Sequence, residues 1–154
     1  MAHYPAPPPR VQVGSGCLLT SGDGRVLLVN PTYKPQWEVP GGAVEQGESP
    51  LAACQREVRE ELGLDIRPSR LLVVDYRPRA PGQIDALRFI FDGGVLDAGQ
   101  IASIRLPPQE LSEFSFVAPG ELASYLIPVL ARRLQACLAA DRTIYLEDGR
   151  PVLG

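Results

Sequence analysis

The sequence predicts an α/β fold in which a mixed β-sheet is packed between helices. Three observations carry this prediction: short apolar runs come first, one amphipathic helix lies inside the chain, and further strands and a late helix follow it. The length of 154 residues suits a single domain. We therefore expect residues 10–154 to form one domain and the proline-rich residues 1–9 to be a flexible lead-in.

The first strands are expected over residues 11–20 and 26–30, two apolar runs separated by the turn sequence Ser21-Gly22-Asp23-Gly24. Later strands are predicted by apolar and alternating patterns over residues 70–76, 86–91, 113–117 and 143–146. Helical segments are predicted over residues 119–125 and 129–140.

The internal helix is expected to run from about residue 50 to residue 62. Ser49 is a favourable N-cap, Pro50 suits the first helical position, and Gly63 lies where a C-terminal glycine belongs. Prolines between residues 31 and 40 exclude a long helix before this one.

Charge and composition exclude several classes of protein. The formal net charge of -3 excludes the basic stripe of a nucleic-acid-binding domain, although it leaves room for a small nucleotide site. No apolar run approaches the roughly 20 residues of a membrane span, and the start of the chain has no secretory signal, so we expect a cytoplasmic protein. Lys34 is the only lysine among 15 basic residues, and this arginine bias indicates a GC-rich bacterial genome.

The internal helix concentrates acidic residues on one face. Because successive helical residues turn by about 100°, Glu57, Glu60 and Glu61 fall within an arc of roughly 100°. The neighbouring face is apolar and is expected to pack on the sheet; it consists of Leu51, Cys54, Val58 and Leu62. Cys54 is expected to be a buried and inert thiol.

Two explanations of this acidic face remain open at this point. The glutamates could form a solvated surface with Arg56 and Arg59 as partial counterions. Alternatively, a divalent cation could bind there, because clustered carboxylate oxygens are the ligands that Mg²⁺ and Mn²⁺ prefer. Like charges in the last helical turn are unfavourable without a cation.

The helix acids belong to a longer pattern of spaced residues that covers 23 of the 154 residues. It consists of Gly42, Glu48, Arg56, Glu57, Val58, Glu60, Glu61, Gly63 and Leu64. These residues fill all nine defined positions of the box G-x5-E-x7-R-E-U-x-E-E-x-G-U, with U aliphatic, and the segment therefore resembles the Nudix hydrolase family. The resemblance implies an α/β/α sandwich and a Mg²⁺-dependent enzyme, with Mn²⁺ as a substitute, that breaks a pyrophosphate bond in a nucleoside diphosphate linked to another group.

The resemblance also implies roles for individual residues. Glu57, Glu60 and Glu61 would hold the magnesium ions with help from the Gly42 carbonyl, and Glu57 is also a candidate for the general base. Arg56 would pair with Glu48 and orient these acids. A further acid outside the box acts as base or ligand in some similar proteins, and here the candidates are Glu110 and Glu113; the alternative for both is an ordinary surface glutamate.

Substrate contacts are expected from residues on either side of the box. Tyr33 could stack on a base and Lys34 could meet a phosphate. Arg77 and Arg88 could neutralise distal phosphates. Each of these residues, and Trp37 with them, could instead be structural.

The substrate is expected to be a small nucleotide, either a nucleoside triphosphate or ADP-ribose and similar nucleotide sugars. No nucleic-acid polymer and no membrane are expected as partners. A non-catalytic domain that binds nucleotides for regulation is the alternative, but such a domain has no need to keep all three acids. Monomer and homodimer both stay open, since dimers are common among similar proteins.

Overall fold

The computed structural model describes residues 5–154. Its strands and helices follow one another as β1 (Gln12–Thr20), β2 (Val26–Pro31), β3 (Gly41–Ala43), α1 (Pro50–Leu62), β4 (Arg70–Arg77), β5 (Ala86–Val95), α2 (Ala98–Ala102), β6 (Leu111–Val117), α3 (Leu122–Tyr125), α4 (Pro128–Ala139), β7 (Ile144–Glu147) and β8 (Arg150–Pro151). A short 3₁₀ turn at Pro119–Glu121 leads into α3.

Within residues 5–154, all eight strands belong to one sheet. The order across it is β6-β2-β1-β5-β4-β7-β8, and β3 pairs with β1. The sheet is mixed, because the β1–β5 and β4–β7 pairs are parallel and the other pairs are antiparallel. Since β5 pairs with β1 from Gln12 to Thr20, β2 and β3 must share the other edge of β1.

The core lies on both faces of this sheet. Leu28 and Leu134 belong to the cluster between the sheet and α4. Leu27 and Val58 belong to the cluster between the sheet and α1. Leu27 and Leu28 face opposite sides, as the two-residue period of a strand requires. The α/β/α sandwich with a mixed sheet is therefore confirmed.

The predicted helix over residues 50–62 is confirmed at both ends. The Ser49 hydroxyl accepts a 3.0 Å hydrogen bond from the Ala52 amide, which caps the first turn. Gly63 takes a left-handed conformation with φ of 71°, which ends the helix. The other predicted strands and helical segments are also present, whereas β3, α2 and β8 were not predicted.

One expectation about α1 is wrong. The helical spacing predicts Leu51 on the packing face, but it is 43% exposed. The start of the helix is fixed to β1 by the Ser15 hydroxyl, which donates to the Pro50 carbonyl oxygen at 2.6 Å. In this first turn the fully buried residues are Ala53 and Cys54. The side of the helix that carries them faces the sheet, and Leu51 therefore faces solvent.

The predicted lead-in is only partly described. Residues 1–4 lie outside the described residues, and residues 5–11 form neither helix nor strand. The flexibility of residues 1–9 and the limits of the domain stay predictions. None of the helices in residues 5–154 combines the length and the apolar character needed to cross a lipid bilayer.

Candidate active site

The site begins where β3 crosses close to β1 and α1. Gly42 lies opposite Ser15 in the antiparallel β1–β3 pair. A Cβ atom on Gly41 would lie 2.3 Å from the Ser15 carbonyl oxygen, and one on Gly42 would lie 2.5 Å from Oε1 of Glu57. Two glycines are therefore needed for the backbone to fit between β1 and the carboxylate of Glu57.

Glu61 is the buried acid of this site, with 7% of its surface exposed. Its Oε1 accepts a 2.8 Å hydrogen bond from the Gly41 amide. Burial raises the pKa of Glu61 to about 8; the charges of Glu57 and Glu110 also raise it, while the Gly41 hydrogen bond lowers it. A carboxyl group with this pKa is mostly protonated at neutral pH, and a bound cation would favour its ionised form.

Arg56 connects the acids of the site. Its Nε and Nη2 donate to the two carboxylate oxygens of Glu48 at 2.7 and 3.0 Å. Its Nη1 donates to Glu57 at 2.8 Å and to Glu60 at 3.2 Å, and Nη2 also reaches the Ala43 carbonyl at 3.1 Å. The pKa of Arg56 is raised, chiefly by the hydrogen bond to Glu48. The expected contact between Arg56 and Glu48 is thus present, and its role stays a prediction.

The three helix acids differ in exposure. Glu61 is buried, Glu57 is half-buried and Glu60 is exposed. As their side chains stand, no three acidic, histidine or cysteine groups among residues 5–154 converge on one point that could hold a metal ion. The Arg56 guanidinium instead takes up oxygen atoms of Glu57 and Glu60. The chemistry of the donor set nevertheless fits a hard divalent cation, because every candidate ligand is an oxygen atom on one side of the helix.

The two candidate acids downstream of the box lie in different surroundings. The charge of Glu110 raises the pKa of Glu61, so Glu110 lies near the helix acids. Glu113 is exposed and pairs with Asn30 in the β2–β6 ladder. Glu110 is thus the candidate that acts electrostatically on Glu61, and the roles of both acids stay predictions.

A cleft of about 230 Å³ opens beside these acids. It is lined at the acidic end by Gly41, Gly42 and Glu61. It continues over the α4 side of the sheet to Arg88 and Arg133. Acidic and basic side chains therefore line one cleft.

Three of the four predicted substrate contacts lie in this cleft. Tyr33, Lys34 and Arg88 line it, whereas Arg77 is not part of the lining. Lys34 is ion-paired with Glu38, and Tyr33 is 74% exposed. Their roles in binding stay predictions.

Trp37 packs as a structural residue. Its ring meets the Tyr125 ring edge-on, with centroids 5.4 Å apart. Both rings lie against the core on the α4 side of the sheet. This contact fixes the loop between β2 and β3, which carries Tyr33 and Lys34.

A buried ion pair beside the cleft is not among the predicted site residues. Nε of Arg133 donates to Oδ2 of Asp75 at 2.6 Å, joining α4 to β4. A signal was present in the sequence: Arg133 falls four residues after Val129 and four before Cys137, on the apolar face of its helix. Asp75 likewise interrupts an apolar strand, so the two opposite charges in apolar patterns indicate a pair.

The comparisons with known proteins agree with this fold. A model of the NUDIX domain matches residues 10–137. A nucleoside triphosphatase named NudI from Salmonella agona is 33% identical, with 78% of this chain and 92% of that protein covered. A putative 8-oxo-dGTP diphosphatase from Bacillus subtilis is 27% identical, with 79% of this chain and 76% of that protein covered. The solved structure of a mutator MutT protein from Bacillus halodurans superposes with a TM-score of 0.70 at 22% identity, with 88% and 87% of the two chains covered.

The fold, the nine filled positions of the box and the family match define one class of protein. The chain belongs to the Nudix hydrolase family. It is a hydrolase of anhydride bonds in phosphorus-containing substrates. Nudix hydrolases generally use divalent metal ions and act on small nucleotides.

Proposed function

We propose that this protein is a Mg²⁺-dependent hydrolase, able to use Mn²⁺, that cleaves a pyrophosphate bond in a nucleoside triphosphate or a nucleoside diphosphate linked to another group. The observation that carries the proposal is the meeting of Glu57 and the buried Glu61 at Gly41 and Gly42. This meeting point lies at the edge of a cleft that Lys34 and Arg88 also line.

The proposed metal ligands are Glu57, Glu60, Glu61 and the carbonyl oxygen of Gly42. Bound Mg²⁺ would neutralise phosphate oxygens and lower the pKa of the attacking water. Burial of Glu61 supports this assignment. Burial alone makes ionisation of the Glu61 carboxyl group unfavourable, and a bound cation would make its ionised form favourable again. Arg56 and Glu48 would position the ligands, since Arg56 contacts Glu48, Glu57 and Glu60 together.

Hydrolysis also needs a group that accepts a proton from water. The water oxygen bonds to one phosphorus atom while the bridging oxygen leaves with the other phosphate. Glu57 is the first candidate for the base, because its carboxylate lies against Gly42 at the edge of the cleft. Glu110 is the second candidate, because its charge acts on Glu61. A positioned base contributes roughly 10²- to 10⁴-fold to such reactions.

A nucleoside triphosphate is the first substrate to test, because the two relatives described above are named for triphosphate substrates. ADP-ribose and nucleotide sugars are the second class. That the protein acts in the cytoplasm of a bacterium stays a prediction from the sequence. Monomer and homodimer both stay open.

A substrate panel with Mg²⁺ or Mn²⁺ tests the proposal. The products are identified, since a triphosphate gives a mononucleotide and pyrophosphate, whereas ADP-ribose gives AMP and ribose 5-phosphate. Glu61→Gln should abolish turnover, while Glu121→Gln, which changes an exposed acid on the 3₁₀ turn, should not. Full activity of Glu61→Gln would overturn the metal assignment. Nucleotide binding without any turnover by the wild type would favour the non-catalytic alternative.

A further inference from the structure

The basic part of the cleft contains a buried guanidinium group with an unused donor. Arg133 is 5% exposed and Asp75 is fully buried. Both oxygens of Asp75 are engaged, since Oδ2 accepts from Nε of Arg133 at 2.6 Å and Oδ1 accepts from the Gly149 amide at 3.0 Å. Nη2 of Arg133 is the one buried side-chain nitrogen or oxygen atom in residues 5–154 that has no hydrogen-bond partner. A buried donor without a partner is unfavourable, so Nη2 can gain a hydrogen bond from an acceptor bound beside it.

Arg88 lies beside this group on the same face of the sheet. Ala43, Gly14, Arg88 and Asp75 stand opposite one another in a row across β3, β1, β5 and β4. Gly14 leaves room for the Arg88 side chain, because a Cβ atom there would lie 2.9 Å from both Cδ and Nη1 of Arg88. The side-chain hydrogen bond of Arg88 is a long one of 3.4 Å, from Nη2 to Oε1 of Gln12.

The charges in this part of the cleft do not balance. No ion pair joins Arg88 to an acidic side chain within the part of the chain that the structure describes. Asp75 is taken by Arg133, and Glu38 is paired with Lys34. Burial lowers the pKa of Arg88, and the positive charges of Arg133, Arg77 and Arg79 lower it further. A partly buried excess of positive charge therefore faces the cleft.

We propose that Arg88 and Arg133 form an anion subsite that binds a phosphate or carboxylate group carried by the substrate away from the bond that is cleaved. The proposal rests on the proposed function in that it takes this cleft as the substrate cleft. The backbone of Arg88 lies two strand spacings, roughly 10 Å, from that of Ala43, and the Arg88 side chain extends over Gly14 on the strand between them. A guanidinium group can donate two parallel hydrogen bonds to two oxygens of a carboxylate or a phosphate, and desolvation strengthens such bonds.

The subsite predicts which substrates of the proposed reaction bind more tightly. A substrate that carries a second anionic group on the part held in the cleft gains contacts with Arg88 and Arg133. A neutral base edge with two adjacent acceptors could also meet a guanidinium group, and this is the competing occupant that the experiment must separate.

Anion binding is tested without turnover, on the full chain after divalent cations have been removed with a chelating resin, so that neither a cation nor a soluble carboxylate chelator takes part. Inorganic phosphate, acetate and the neutral nucleoside guanosine are titrated separately at constant ionic strength, with binding followed by calorimetry and by the thermal midpoint. We expect saturable binding of phosphate or acetate. Comparing their dissociation constants shows whether the subsite prefers a phosphate or a carboxylate anion. Arg88→Gln should weaken that binding at least tenfold.

Two further variants keep the test decisive. Arg133→Lys retains the charge beside Asp75 but loses Nη2, and it should also weaken anion binding at least tenfold. Arg25→Gln changes an exposed arginine paired with Asp23 in the β1–β2 turn and should leave binding unchanged. Equal anion binding by wild type, Arg88→Gln and Arg133→Lys would overturn the subsite, as would an absence of saturable anion binding. Binding of guanosine alone, lost in Arg88→Gln, would assign the arginines to a base edge instead. Hydrolysis is not measured here, so failure of the subsite and failure of the proposed activity remain distinguishable.

Discussion

The backbone amide of Gly41 donates a 2.8 Å hydrogen bond to the carboxylate of Glu61, 20 residues further along the chain. This bond joins β3 to the last turn of α1 and holds the one buried acid of the helix at the mouth of the cleft. The geometry of the acidic site therefore depends on how closely β3 approaches α1.

The first prediction concerns that approach. In Gly42→Ala the new Cβ atom would lie 2.5 Å from Oε1 of Glu57, so the carboxylate has to move. Moving the Glu57 carboxylate out of this close contact should lower kcat/KM by roughly 100-fold while the fold is retained. Steady-state kinetics at saturating Mg²⁺ and circular dichroism measure the two effects. Gly22→Ala is the matched control, because nothing lies within 4 Å of a Cβ atom there. Unchanged kinetics of Gly42→Ala would mean that the position of Glu57 is unimportant.

The helix with its acids could be predicted because its signals are local. Ser49, Pro50 and Gly63 act on their own turns of the backbone, so both helix ends were found from the sequence. The grouping of Glu57, Glu60 and Glu61 follows from helical geometry alone. The exposure of Leu51 could not be found in this way, because it depends on where β1 meets the helix.

The basic part of the cleft could not be assembled from local signals. Arg88 meets Asp75 through the β4–β5 register, and Arg133 meets Asp75 through the packing of α4 on the sheet. These contacts join residues 13 and 58 positions apart in the chain. The three-residue strand β3 was missed because two glycines and an alanine carry no alternating pattern.

The second prediction concerns the Arg56 guanidinium group, which bonds both carboxylate oxygens of Glu48. Arg56→Lys keeps the positive charge but cannot bond both oxygens of Glu48 while reaching Glu57 and Glu60. The Mg²⁺ concentration needed for half-maximal activity should therefore rise by roughly 10- to 100-fold. Titration of activity with Mg²⁺ measures this change. Arg59→Lys, three residues along the same helix and paired with the exposed Asp65, should behave as wild type. A fall in kcat with no change in the Mg²⁺ requirement would contradict a positioning role for Arg56 at the metal site.

The third prediction concerns the pH dependence of stability in the β4–β5 connection. The Tyr76 hydroxyl donates to Asp85, and the Arg79 amide donates to the same carboxylate at 3.0 Å. The hydrogen bond between the two side chains lowers the pKa of Asp85 and raises the pKa of Tyr76.

The lowered pKa of Asp85 and the raised pKa of Tyr76 each make stability depend on pH, one at the acidic end and one at the alkaline end of the range. The stability from Asp85 is present above its unfolded pKa of 3.8 and is lost as the pH falls through the lower folded pKa. The stability from Tyr76 is present below its unfolded pKa of 10.0 and is lost as the pH rises through the higher folded pKa. Tyr76→Phe should therefore lower the thermal midpoint at neutral pH and flatten the pH dependence at both ends. Thermal melts across the pH range check this, with Tyr33→Phe as the control because that residue is exposed. Parallel pH profiles of Tyr76→Phe and wild type would contradict it.

The fourth prediction concerns the buried pair of Arg133 and Asp75. Asp75→Leu leaves the Arg133 charge buried without its carboxylate and the Gly149 amide without its acceptor. Removing one partner of a buried pair costs about 3–5 kcal/mol, which urea denaturation measures directly. Asp65→Leu, at an exposed aspartate, should change the free energy of unfolding little.

The double variant Asp75→Leu with Arg133→Met separates the cost of the orphaned charge from the value of the pair. Because apolar groups of similar volume often replace a buried ion pair without loss, the double variant should recover most of the stability that Asp75→Leu loses. A loss below about 1 kcal/mol in Asp75→Leu would show that water reaches the pair, as it does at surface ion pairs. A double variant as unstable as the single one would place the cost on the Gly149 amide instead, since that amide lacks an acceptor in both variants.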